Sequence, residues 1–207
     1  MPESAEPVGP AEPVGPVELV EYVDGADLPV RTGPRGGAGA EGLLYRVAAT
    51  LVTDPHGRVL VYRRPAAARV LPGHHDVLVG GSVRAGEGAA EAAARELAEE
   101  FGVRPGPGQG PYPLWRERVE GPAGPCWLTV HHARIPRQET PRGDPEEIAW
   151  HGFLPLVQLL GEARPRPFND VGLRALRRFA AAPTEPRDRP AGGRGPGETR
   201  DGDKRHT

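Results

Sequence analysis

Across 207 residues the chain carries 26 basic and 28 acidic side chains, a formal charge of −2 and a pI near 6.4, which gives no reason to expect a nucleic-acid backbone or an anionic membrane as main partner. Only 37% of residues are hydrophobic, while 29 Gly and 26 Pro approach the level of disordered sequence, so the apolar residues must be concentrated in part of the chain. The single cysteine excludes an intrachain disulfide and a thiolate zinc cluster, and no stretch nears the roughly 18 apolar residues of a membrane span; the reading is a cytoplasmic protein acting on a small ligand.

Residues 5–16 are AEPVGP written twice, with no basic segment followed by an apolar run, and 1–16 read as a disordered leader. One domain is expected over 17–181, and the Pro/Gly-rich stretch 182–207 lacks apolar periodicity and reads as a disordered tail. Within the domain, VELVEYV, Asp24-Gly25 and LPVR suggest a small apolar hairpin over 17–31, a candidate surface for pairing two copies. LLYRVAATLV (43–52) and RVLVYRR (58–64) read as strands joined by the turn DPHG, and HDVLVG (75–80) as a third strand, followed at once by Gly81 and a loop. PLWRERV, CWLTVHHARI and IAWHGFL supply later strands, and helices are expected over Gly88 to Phe101, Leu154 to Leu160 and Asp170 to Ala181. Strands mixed with three helices argue for an α/β fold with a sheet covered on both faces.

The helix ending in ARELAEEF raises the chemical question. At about 100° per residue, Glu96, Glu99 and Glu100 share one narrow face, while Ala90, Ala94, Leu97 and Phe101 gather on another that is expected to pack on the sheet. The acids then lie off the buried stripe, with only Ala89, Ala92 and Ala93 beside them, so a ligand can approach closely. Three crowded carboxylates repel unless a hard cation satisfies them, and oxygen-rich sites suit Mg²⁺, Mn²⁺ or Ca²⁺. A plain solvated Ala/Glu/Arg helix is the alternative.

The preceding loop decides between them. Gly81, five residues, Glu87, seven residues, Arg95-Glu96-Leu97, one residue, Glu99-Glu100, one residue, Gly102-Val103 resembles the Nudix box at every position. The resemblance implies an α/β/α sandwich around a central mixed β-sheet and hydrolysis of a diphosphate linkage in a nucleotide or related small phosphorylated substrate, by water attack at phosphorus. It further implies that Glu96, Glu99 and Glu100 coordinate Mg²⁺ or Mn²⁺, with the Gly80 carbonyl as a further ligand, and that Arg95 orients the glutamates. Gly81, Glu87 and Gly102 are then structural members of the box. A distant acid often completes such sites, and Glu147 lies where the family places one, with Glu146 as its competitor. The flanking sequence also resembles a bacterial Nudix subgroup related to isopentenyl-diphosphate isomerase, but LVGGSV lacks that enzyme's cysteine and Cys126 falls in a different strand, which favours hydrolysis. A non-catalytic nucleotide-binding sensor is the third reading, without its usual sign of an eroded box.

Other signals are weaker. Arg63 and Arg64 end a strand and read first as solvated charges, with phosphate contact as the alternative. His74-His75 and His131-His132 are adjacent on strands and point to opposite faces, so neither pair readily holds one ion. Trp115, Trp127 and Trp150 read as core anchors before base-stacking rings. No substrate-binding residue beyond the box is identified.

Overall fold

The computed structural model describes residues 17–121, 124–136 and 140–182, so the leader, and the tail from residue 183 onward, lie outside the described residues. The strands are β1 (Leu19–Val23), β2 (Pro29–Pro34), β3 (Tyr45–Thr53), β4 (Val59–Arg63), β5 (His75–Asp76), β6 (Leu78–Ser82), β7 (Tyr112–Gly121), β8 (Gly124–Arg134) and β9 (Trp150–Leu154). The helices are α1 (Ala89–Phe101), α2 (Leu156–Leu160) and α3 (Asp170–Ala181). Among the described residues, seven strands make one mixed sheet in which β3 runs parallel to β8 and antiparallel to β6, while β4 pairs antiparallel with β9 and β5.

Alternation along β3 and β4 builds the layers. Ala49, Leu51, Val59 and Val61 join Leu159, Ala175 and Leu176 of α2 and α3 in one cluster, whereas Val52, Leu60 and Tyr62 join Leu97 and Phe101 of α1 in another. Helices therefore cover both faces of the sheet, the expected α/β/α sandwich. Few positions on β3 and β4 read as alternating hydrophobic and polar because both sides of these strands are buried.

The hairpin forms with a longer connection than Asp24-Gly25 alone. The Asp24 carboxylate accepts hydrogen bonds from the amides of Ala26 and Leu28 at 2.8 and 2.9 Å, and pairing resumes at Pro29 opposite Val23. Arg46 ties this hairpin to β3 through Glu21 at 2.7 Å and Asp27 at 2.8 Å. The strand expected over 75–80 is one passage interrupted at Val77: its first part pairs with β4, its second with β3, and it continues through Gly81 to Ser82. The interruption follows from Asp76, whose carboxylate turns back to accept from the amides of Val77 and Leu78 at 2.7 and 3.1 Å.

Two expectations fail. The buried side of α1 carries Ala92, Ala93, Leu97, Glu100 and Phe101, while Ala90 is exposed. The alanines beside the glutamates pack on Ala48 and Val83 and let the helix sit close to β3, and Glu100 is buried on that side while Glu99 stays exposed. The tryptophan expectation holds at Trp115, which packs half-buried on the core cluster, and fails at Trp127, half-buried away from it, and at Trp150, 41% exposed. Arginines cover the first two, with Arg178 at 4.6 Å from the Trp115 ring centre and Arg116 at 5.2 Å from that of Trp127.

Asp76 also fastens α3. Its second oxygen accepts from Asn169 Nδ2 at 2.6 Å, and Asn169 Oδ1 accepts from the Val171 amide at 3.1 Å as the N-cap of α3. Every acceptor is taken, so Asp76→Asn sets an amide donor against another donor however it turns. A loss of about 1–3 kcal/mol is expected, read as a lower urea midpoint with an unchanged m-value.

Candidate active site

Gly102 closes α1 with a left-handed backbone, φ 66°, and its amide donates to the carbonyls of Ala98 and Leu97, so Glu99 and Glu100 occupy the last turn with a fixed aim. At the other end Glu91 accepts from the Gly88 amide at 2.8 Å. Between these ends Arg95 spends its guanidinium on three segments at once. Nε donates to Glu87 at 2.8 Å, Nη2 to Glu87 at 3.0 Å and to the Ser82 carbonyl at 3.0 Å, and Nη1 to Glu96 at 2.6 Å and Glu99 at 3.1 Å. Glu87 in turn accepts from the Arg84 amide at 3.0 Å. Burial works to raise the Glu87 carboxyl, but the bonds from Arg95 and Arg84 outweigh it and hold it below the usual carboxylate range.

The two glycines at the end of the β5–β6 passage are packing requirements. A side-chain carbon on Gly80 would run into the backbone of Ala48 and Ala49 on β3, and one on Gly81 would stand 2.5 Å from a Glu96 carboxylate oxygen. Glu96 is therefore wedged between Gly81 and Arg95. Burial raises its carboxyl despite the Arg95 bond, and the Glu99 charge adds to the rise. Glu100 is deeper, 7% exposed, and is raised well above the carboxylate range by burial, then by the charges of Glu96 and Glu147. The Arg64 charge opposes the rise. Glu99 is the outermost of the three, its side chain 52% exposed and 3.6 Å from Arg84.

Of the two distant acids, Glu147 is the one whose charge reaches Glu100, Tyr62 and Arg64. Both acids are exposed, and the Glu146 amide donates to Asp144 at 2.9 Å. Arg64, read from sequence as a solvated charge, is largely buried with its Nε unbonded, 3.2 Å from the Tyr62 hydroxyl and amid the charges of Asp76, Glu100 and Glu147. Alternation held the signal, since Arg64 has the parity of Leu60 and Tyr62, which face α1. Arg63 has the opposite parity and is exposed. His131 is buried while His132 reaches Thr53 at 2.9 Å, consistent with opposite directions. Cys126 lies in the core cluster beside Val119 and Leu128, its thiol pushed up to about 11 by burial.

Among the described residues no three His, Cys, Asp or Glu side chains already stand as an ion-holding group, because Arg95 draws Glu96 and Glu99 toward itself while Glu100 lies deeper. The donor chemistry nonetheless fits a hard divalent cation: one carboxyl deeply buried and raised by that burial, a second raised beside it, and a third at the surface, all on one helix end.

The family model of the NUDIX domain matches residues 43–179. The chain is 38% identical over 164 residues to the uncharacterized Nudix hydrolase SCO1686 of Streptomyces coelicolor, spanning 79% of this chain and 88% of the relative. It is 34% identical over 169 residues to the uncharacterized Nudix hydrolase PA4841 of Pseudomonas aeruginosa, spanning 79% and 94%. In fold it is similar to the crystal structure of DR0079 from Deinococcus radiodurans, with a TM-score of 0.63 at 24% identity over 78% of this chain and 98% of that one. With the box geometry in place and the match running through most of the domain, the chain belongs to the Nudix hydrolase family.

Proposed function

We propose that this chain hydrolyses a diphosphate linkage in a nucleotide or related small phosphorylated compound, with Mg²⁺ or Mn²⁺, by water attack at phosphorus. The observation that carries the reading is the set of Glu96 and Glu99 held by Arg95, with Glu100 buried behind them, at the end of α1. Glu96, Glu99, Glu100 and the Gly80 carbonyl hold the cation, with Glu147 as the outer acid. Bound there, a divalent cation neutralises the diphosphate and lowers the pKa of water near phosphorus. Arg95 keeps Glu96 and Glu99 from swinging outward, a positioning role, and Arg64 offers a cation beside Glu100 for the anionic substrate. No covalent nucleophile is required. The buried Cys126 thiol, high in pKa and set in the core, is a poor proton donor for isomerisation.

Glu99→Gln and Glu100→Gln are each expected to lower turnover by roughly a hundredfold or more while the fold is kept, the scale of losing several kcal/mol of charge stabilisation. The assay is phosphate or nucleoside monophosphate release from nucleoside triphosphates, nucleotide sugars, dinucleoside polyphosphates, coenzyme A and prenyl diphosphates, with far-UV circular dichroism as the fold control. Full activity in either variant counts against the assignment. Conversion of isopentenyl diphosphate to its allylic isomer without phosphate release, abolished by Cys126→Ala, would establish the isomerase instead.

A pH dependence follows from Glu100. Its folded value is raised, so the metal-free folded protein retains a proton that the unfolded chain has released. The stability tied to that proton is fully present below the unfolded value, ~4.3, and is lost as pH rises through the folded value. Chelator-treated wild-type protein should therefore lose melting temperature, as pH rises above the unfolded value, more steeply than Glu100→Gln, and added Mg²⁺ should remove most of the difference.

A further inference from the structure

The last turn of α1 leaves carbonyls that its own helix cannot satisfy, and a stretch of chain distant in sequence takes two of them. The amide of Arg142 donates to the Phe101 carbonyl at 2.9 Å, and that of Asp144 to the Glu100 carbonyl at 2.8 Å. This stretch, residues 140–149 ahead of β9, is the one that carries Glu147.

Asp144 ties the stretch into a knot. Its side-chain Oδ1 accepts from the Glu146 amide at 2.9 Å across Pro145, and its carbonyl accepts from the amides of Glu147 at 3.0 Å and Ile148 at 2.7 Å. Ile148 is buried in the cluster with Leu97 and Phe101, and the Ala149 amide donates to the Arg63 carbonyl on β4 at 2.9 Å. Gly143 lies so close to this turn that a side-chain carbon there would stand 2.7 Å from Ile148 Cγ2. His151 supports the other side, with Nε2 3.0 Å from the Pro141 carbonyl and its ring edge-on to Phe101 at 5.6 Å. Glu147 itself is exposed, yet its charge reaches Glu100 and Arg64. An exposed carboxylate keeps its rotamer freedom, so its reach toward Glu100 is set by where the backbone places it.

We propose that Asp144 is the positioning residue of the outer acid. Its amide bonds the Glu100 carbonyl while its carbonyl and carboxylate collect the amides of Glu146, Glu147 and Ile148, and this holds Glu147 at a fixed reach from Glu100. The role rests on the diphosphohydrolase reading and concerns the same site. Asp144 acts through Glu147 and touches no substrate.

A double-mutant cycle on the full chain tests this, with far-UV circular dichroism as the fold control. Glu147→Gln is expected to lower kcat by roughly a hundredfold and Asp144→Ala by roughly tenfold, the effect of a small misplacement, with KM moving less than kcat in both. In the double variant Asp144→Ala adds no further loss, because residues that act through one another are not additive. Asp144→Asn, which keeps an oxygen for the Glu146 amide, restores most of the turnover. The same cycle is read without catalysis by titrating Mn²⁺ and following the free ion by electron paramagnetic resonance: each single change weakens binding, and the double variant binds no more weakly than Glu147→Gln. In an active hydrolase, an Asp144→Ala loss of turnover of the same size with and without the Glu147 carboxylate, or no loss at all, overturns the positioning role. In a protein that cleaves no diphosphate the Mn²⁺ cycle decides: coupling supports the role while the hydrolase reading falls, and its absence overturns both.

Discussion

The structure of the site depends on where one guanidinium puts its hydrogen bonds. Arg95 joins the end of β6 through Ser82, the following loop through Glu87, and its own helix through Glu96 and Glu99. Without that shared partner the carboxylates of Glu96 and Glu99 would separate, and the loop would lose its grip on the helix start. A planar fork with five donors suits this task as a lysine ammonium would not, because the bonds must diverge toward three segments in fixed directions.

Around that hub the carboxylates are graded by depth. Glu99 stands in solvent, Glu96 is wedged against Gly81, and Glu100 is sunk beside Arg64 with its charge poorly compensated. Ionising that carboxyl is costly for the bare folded chain, which favours its neutral form, and it sits at the end of a helix capped to hold its last turn rigid. The same arrangement that penalises the bare protein prepares a place for positive charge.

Much of this was readable from sequence, for identifiable reasons. The box spacing picked out Gly81, Glu87, Arg95 and the three glutamates, and in the structure they meet where the loop joins the helix end. Strand positions were legible from apolar runs bounded by Gly and Pro, and α3 from its periodic stripe, with bounds that agree with the structure. The orientation of α1 was not, since alanines look alike whether they face solvent or seat a helix tightly on a strand, and only packing on Ala48 and Val83 separates the cases. Arg64 escaped because two adjacent arginines at a strand end look alike in polarity, and only the parity it shares with Leu60 and Tyr62 sets it apart from the exposed Arg63. The break at Val77 was hidden because Asp76 reads as an ordinary polar residue until its carboxylate is seen folding back on the next two amides.

The close seating of Gly80 on β3 and of Gly81 on Glu96 has an evolutionary corollary. At Gly80 an added carbon meets the β3 backbone, which has no room to turn aside, and at Gly81 it meets the Glu96 carboxylate, which moves only by loosening its bond to Arg95, so a descendant of this chain that acquires a different cargo has more freedom in the stretch between β4 and β5 or the strap ahead of α3. Innovation is thereby channelled to the rim, while the machinery beneath it is held by steric exclusion.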